Sequence, residues 1–179
     1  MKKILTAIAL FAAAISFSSC NHFEVENTAT VNLAGNWMCT IYCADAGEWV
    51  PYYTAEYVTC NTAANVSTEM WINDYENFWG TMCKGDCDAA AYTFGKENVE
   101  YEDQYNGIHQ HIWGGKVTVD AVKAPGSESV CDKIEFLIQF EDDDPSYGYT
   151  YCVIGYRRTG FPEDDDNFII EWDTMPALD

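Results

Sequence analysis

CDKIEFLIQFE, residues 131–141, sets Ile134, Phe136, Ile138 and Phe140 on one face of an extended chain and Lys133, Glu135, Gln139 and Glu141 on the other. Side chains alternate along a strand, so this period of two marks a half-buried antiparallel β-strand. Leu137 is the one exception. Downstream, DDDPSYG (142–148) supplies the Pro and Gly of a hairpin loop, and YTYCVIGYRR (149–158) continues as a second strand.

Working outward, the same signature recurs. Short runs rich in Trp, Tyr, Phe, Val, Ile and Thr are punctuated by Gly, Asn and Asp. They predict strands at 36–44, 53–60, 68–74, 77–83, 91–94, 109–113 and 115–122, in addition to 131–141 and 149–158. No long helical period and no internal repeat interrupts them. About 8–10 strands, each with one apolar face, predict an all-β fold: an antiparallel up-and-down meander, closed as a barrel or folded as a sandwich.

The chain has 179 residues and divides unevenly. Residues 1–19 begin with Lys2 and Lys3, pass through an apolar stretch and end in Ser18 and Ser19, the layout of a secretory signal peptide. Cys20 follows directly, and the junction resembles a bacterial lipobox. That resemblance implies cleavage before Cys20, its acylation, and a lipid anchor in the bacterial cell envelope, most simply the outer membrane. Residues 20–32 are polar and aperiodic and read as a tether, leaving 33–179 as the barrel domain.

Nine Lys and Arg face 29 Asp and Glu, a formal charge of −20, and loss of Lys2 and Lys3 with the leader makes the remainder more negative still. Nucleic acid is excluded as a partner, because phosphate binding needs a basic surface. Anionic headgroups should likewise repel the domain, so the expected membrane contact is the N-terminal anchor alone.

Candidate chemistry is sparse. Ser67, Ser127, Ser129 and Ser146 lie outside any G-x-S-x-G context, and His109 and His111 have no partner marked by spacing, so the catalytic set is unknown. Cys39 and Cys43 on one strand would stand about 13 Å apart, beyond the ~4.4–6.8 Å between Cα atoms that a disulfide requires. Cys83 and Cys87 flank KGD, which reads as a turn, and could bridge or share a metal; small buried thiols are the simpler expectation. His109 and His111 share a strand face without an evident third ligand. The acidic runs 141–144 and 163–166 read as solvated turns. No metal and no cofactor is expected. The abundant aromatics can line a ligand cavity or fill a closed core.

LAGNW (33–37) carries Gly35-Asn36-Trp37, a G-x-W at the start of the first strand that resembles lipocalins and other calycins. In those proteins the Trp packs against an Arg from a late strand at one end of the barrel. Here a late strand ends in Arg157-Arg158. More specifically, the lipobox, LAGNW, CNTAANVSTEMWIND (60–74), GGKVTV (114–119), CDKIEF (131–136) and GYRRTGFPEDD (155–165) together resemble a family of bacterial lipoproteins described as lipid-binding putative hydrolases. The resemblance implies a calycin-like barrel that binds a lipid or another small apolar ligand, and raises hydrolysis as an alternative; a surface module for protein or glycan is a third. It implies no catalytic residues. Adjacent strand residues face opposite sides. One arginine is therefore expected on Trp37 as a barrel-closing pair, and the other outside, toward residues 163–166.

Overall fold

The structure is a computed structural model, and it describes residues 27–45, 47–143, 148–166, 172 and 175–177. Residues 1–19, where a signal peptide is expected, Cys20, most of the expected tether and Ser146 lie outside the described residues. Nine strands form one antiparallel sheet: β1 (Gly35–Asp45), β2 (Glu48–Asn61), β3 (Glu69–Asn73), β4 (Met82–Asp88), β5 (Thr93–Phe94), β6 (Glu100–Glu102), β7 (His109–Lys123), β8 (Val130–Phe140) and β9 (Tyr151–Arg157). Their order is β5-β4-β3-β2-β1-β9-β8-β7-β6, and a further pairing of β5 with β7 closes the ring. The all-β, barrel-like architecture agrees with the expectation from sequence.

Alternation decides which side chains fill the ring. Trp37, Cys39 and Ile41 of β1, Tyr57 of β2, Met70 and Ile72 of β3, Phe94 of β5, Ile112 of β7, Ile134, Phe136, Ile138 and Phe140 of β8, and Tyr151 and Val153 of β9 are buried together. Phe136 touches Tyr57 edge-on, with centroids 5.3 Å apart, and Phe94 at 5.5 Å. Two glycines make this density possible. A Cβ on Gly115 would lie 2.5 Å from the Phe94 ring, and one on Gly155 would lie 2.6 Å from Cys39 Sγ. The aromatics of this layer therefore pack as a core.

Strand β9 is buried on both faces. Its outward Cys152 and Ile154 pack with Tyr42, Trp49, Trp172 and Met175, and the same apolar patch takes Leu137. Leu137 departs from the alternation of β8 because the C-terminal segment covers that part of the outer face. Outward Tyr156 packs with Ala124 and Cys131.

Three sequence expectations change, and one short strand is added. Residues 109–113 and 115–122 form one strand, in which Gly114 (φ 63°) sits at a β-bulge rather than a turn. Residues 77–81 are loop, not strand, for a reason given below. KGD (84–86) lies within β4 rather than in a turn: Lys84 and Asp86 point outward to Glu69 and Lys96, and buried Gly85 points inward beside Ile72. The three-residue strand β6 was too short to predict. In addition, β2 reaches back through Pro51 to Glu48, and the register slips at Ile41/Tyr42 opposite Tyr52; a bulge is one of the places where a strand tolerates proline.

The loops gather at two ends. At one end lie residues 28–34, 62–68, 89–92, 124–129 and 158–166; at the other lie 74–81, 103–108 and the β8–β9 connection. The first is called the closed end and the second the open end.

Candidate functional site

At the closed end, Arg157 and Trp37 are directly paired across β1 and β9. Arg157 Cζ stands 4.5 Å from the Trp37 ring centroid, its Nε donates to Asp132 at 2.9 Å, and its Nη1 donates to the Ala34 carbonyl. Trp37 Nε1 donates to Thr59 Oγ1 at 2.8 Å, and Thr59 donates to the Leu33 carbonyl. Gly35 leaves room for the guanidinium, since a Cβ there would stand 2.5 Å from Arg157 Nη1. Arg158 points the other way and holds Asp165 through Nε at 2.9 Å and through Nη2. One arginine thus lies on Trp37 and the other on the acidic run.

That acidic run is not merely solvated. Asp164 is fully buried and accepts from Gly126 N (2.9 Å), Ser127 N (2.7 Å), Ser127 Oγ (2.6 Å) and Thr159 Oγ1. Burial alone would raise its pKa, but these donors stabilise the carboxylate and hold the value down at about 2. The 3-10 turn Pro162–Asp164 is thereby fastened to the β7–β8 loop.

At the open end, Asp74 organises the loop after β3. It is fully buried, and its two oxygens accept backbone N–H groups from Glu76 (2.9 Å), Phe78 (3.2 Å), Trp79 (3.1 Å) and Gly80 (3.3 Å). Burial nevertheless pushes its carboxyl pKa up. Positive φ at Tyr75 (53°) and Glu76 (60°) is the backbone consequence of wrapping the chain around one carboxylate. NFWGT therefore cannot extend as a strand. Asp103 repeats the device in the next loop, accepting from Met82 N and Gln110 Nε2 as well as from Tyr105 N and Asn106 N. Tyr105 Oη then donates to Asn73 Oδ1 at 3.1 Å and ties the two loops together.

The aromatic side chains that these loops carry converge. Trp79 stacks on Phe140 (centroids 4.7 Å apart, planes 11° from parallel) and donates Nε1–H to Asp142 at 2.8 Å. Phe78 meets Phe140 at 5.8 Å and Tyr151 at 5.3 Å. It also touches both Tyr52 (6.1 Å) and Tyr53 (5.7 Å), consecutive residues that regular alternation would put on opposite faces; the bulge in β2 brings both to it. Tyr52 stays 59 % exposed, Tyr53 47 % and Tyr105 41 %, a patch of aromatic surface at the mouth of a filled ring. A cleft of about 590 Å³ opens there, lined by Glu76, Phe78, Trp79, Gly80, Tyr105, Asn106, Ile108 and Asp142.

Among the described residues, the polar side chains considered for catalysis do not meet. Ser67, Ser127 and Ser129 lie in closed-end loops, whereas His109 opens β7 at the other end. His109 Nδ1 is 2.9 Å from Glu141 Oε2, which raises the imidazole pKa, and His111 Nε2 is 3.6 Å from Glu100 Oε1. The two imidazoles face different carboxylates rather than a shared centre. All seven cysteines from Cys39 to Cys152 are free thiols. Burial is the first cause of the raised pKa of Cys39, Cys83 and Cys152, with Cys152 pushed up to about 12. A neutral buried thiol is a poor nucleophile.

The sequence does not single out Asp74, Asp103, Phe78 or Tyr105, and it marks Trp79, with Trp71 and Trp113, only as a tryptophan of an expected strand whose face is undecided. The available signal is an Asp with a Gly several residues on, in NDYENFWG at the end of a predicted strand and again in DQYNG.

The described residues thus form a closed, barrel-like antiparallel sheet with its first-strand Trp under a last-strand Arg and an aromatic cleft at the opposite mouth. The chain belongs to the family described as lipid-binding putative hydrolase, whose model matches residues 22–162. A comparison with curated proteins gives no match.

Proposed function

We propose that this protein binds an amphiphile at the open end of its barrel, with the apolar part of the ligand laid against Phe78, Trp79, Tyr105 and the neighbouring tyrosines. The observation that carries this reading is the division of the aromatics: one set packs the ring solidly, while Tyr52, Tyr53 and Tyr105 keep large exposed faces beside the cleft. Exposed aromatic surface held in place by a strand bulge at Tyr52 and Tyr53 and by a carboxylate-pinned loop at Tyr105 costs stability without adding core, and such patches mark binding sites. The family description supports a lipid as the ligand class. The affinity would come from burial of apolar surface at roughly 25 cal/mol per Å².

This refines the expectation of a ligand held in the barrel: the described core side chains pack together, and the cleft among the described residues opens at the mouth. Native mass spectrometry of the purified protein is expected to show a co-purified lipid, with thermal stabilisation by acyl-chain amphiphiles. An apo mass with no thermal shift would overturn the reading.

Anchoring is part of the proposal. The layout of residues 1–20 supports acylation at Cys20 and residence in the bacterial envelope. Mass spectrometry of the N-terminal peptide tests it; an unmodified Cys20, or a leader still attached, would refute it.

A further inference from the structure

We infer that the open-end cleft selects the headgroup of its amphiphile by charge, accepting a cationic head such as an ammonium or trimethylammonium group and rejecting carboxylates and phosphates. The inference rests on the binding reading above and names the ligand class for the same cleft.

The first observation is the lining. Three aromatic rings, Phe78, Trp79 and Tyr105, share the cleft with two carboxylates, Glu76 and Asp142. Aromatic faces carry a negative quadrupole, and a cage of them beside a carboxylate is a favourable setting for a weakly hydrated organic cation. Trp79 is tuned in the same sense. Its N–H donates to the Asp142 carboxylate, which adds electron density to the indole, and Phe140 fixes the ring in place.

The second observation is where the cations stand. Apart from Lys2 and Lys3, every Lys and Arg of the chain lies among the described residues, and none lines this cleft. Lys84 pairs with Glu69, Lys96 with Asp86, Lys133 with Glu135, Arg157 with Asp132 and Arg158 with Asp165. Lys116 sits at the middle of β7 and Lys123 at its closed-end terminus. The nearest titratable cation on the rim, His109, is paired with Glu141. A fatty-acid carboxylate or a phosphodiester entering the cleft would meet Glu76 and Asp142 without a countercharge, in a chain of formal charge −20.

The experiment compares three probes of equal chain length, below their micelle concentrations, by Trp fluorescence and calorimetry: decyltrimethylammonium, decyl maltoside and decanoate. The cationic probe is expected to bind at least about tenfold more tightly than decanoate, and its affinity should fall as salt rises. Glu76→Gln with Asp142→Asn should weaken the cationic probe about three- to tenfold and leave the maltoside unchanged. Tyr105→Leu, which keeps the charge, should weaken it comparably. Glu97→Gln with Glu128→Gln, an equal charge change on other exposed loops, should have no effect. Equal binding of decanoate, or an equal effect of the Glu97→Gln and Glu128→Gln pair, would overturn the inference while leaving amphiphile binding intact. Failure of all three probes to bind would overturn the binding reading itself.

Discussion

The guanidinium of Arg157 lies 4.5 Å from the centre of the Trp37 indole and spans from there to Asp132 and the Ala34 carbonyl, joining the first strand, the last strand and the segment before the barrel. Its neighbour Arg158 holds only surface carboxylates. Arg157→Ala is therefore expected to destabilise the fold by about 2–3 kcal/mol, through the lost stacking and the stranded Asp132. Arg158→Ala should cost under about 1 kcal/mol, as exposed ion pairs do. Urea unfolding of the two variants checks this, and equal losses would contradict the asymmetry.

Asp74→Ala removes the acceptor for four backbone N–H groups at once. The expected loss is about 2–4 kcal/mol, with a red shift of Trp79 emission as the loop leaves Phe140. Asp74→Asn keeps an acceptor and should lose less. Normal emission in the alanine variant would mean that the loop holds itself.

Asp164 gives the fold an acid-sensitive fastening. Its native pKa of about 2 lies below the ordinary carboxyl value of 3.8, so the folded state favours the ionised form. The associated stability is present in full above about pH 4 and is lost as pH falls from there toward 2. The difference in unfolding free energy between the wild type and Asp164→Asn should accordingly shrink over that window, read by denaturant titrations at successive pH values.

Thiol accessibility divides the cysteines. Cys60 is exposed, whereas Cys39, Cys83, Cys131 and Cys152 are buried. Ellman's reagent on native protein should modify Cys60 first, and the buried four only on unfolding. Rapid modification of Cys152 would indicate that the outer-face cover formed with Trp172 and Met175 opens readily.

Gly155→Ala tests the density of the ring. Its Cβ would collide with the Met38 carbonyl and Cys39 Sγ. A loss of about 2 kcal/mol or more is expected by calorimetric melting.

Much of this fold could be read from the chain. Strand β8 shows its faces openly because one side meets core and the other water, and Leu137 departs from the pattern only because a distant segment covers it. Gly35-Asn36-Trp37 and Arg157-Arg158 gave both ends of one contact. Residues 77–81 were opaque, because apolar residues in an Asp-capped loop have the composition of a strand and only the buried carboxylate of Asp74 distinguishes them. Pairing of the acidic side chains was equally hidden: in so acidic a chain nothing in the sequence shows that Asp142 meets Trp79, Asp143 meets Tyr151, or Asp164 turns inward.

Asp74 grips its loop through main-chain N–H groups, which every residue other than proline supplies. The path of residues 76–80 is thus fixed independently of the side chains displayed along it. Phe78 and Trp79 could be exchanged for other side chains without redrawing the mouth, so the same barrel could present a different surface there through substitutions at a few positions while Asp74 and Asp103 stay in place.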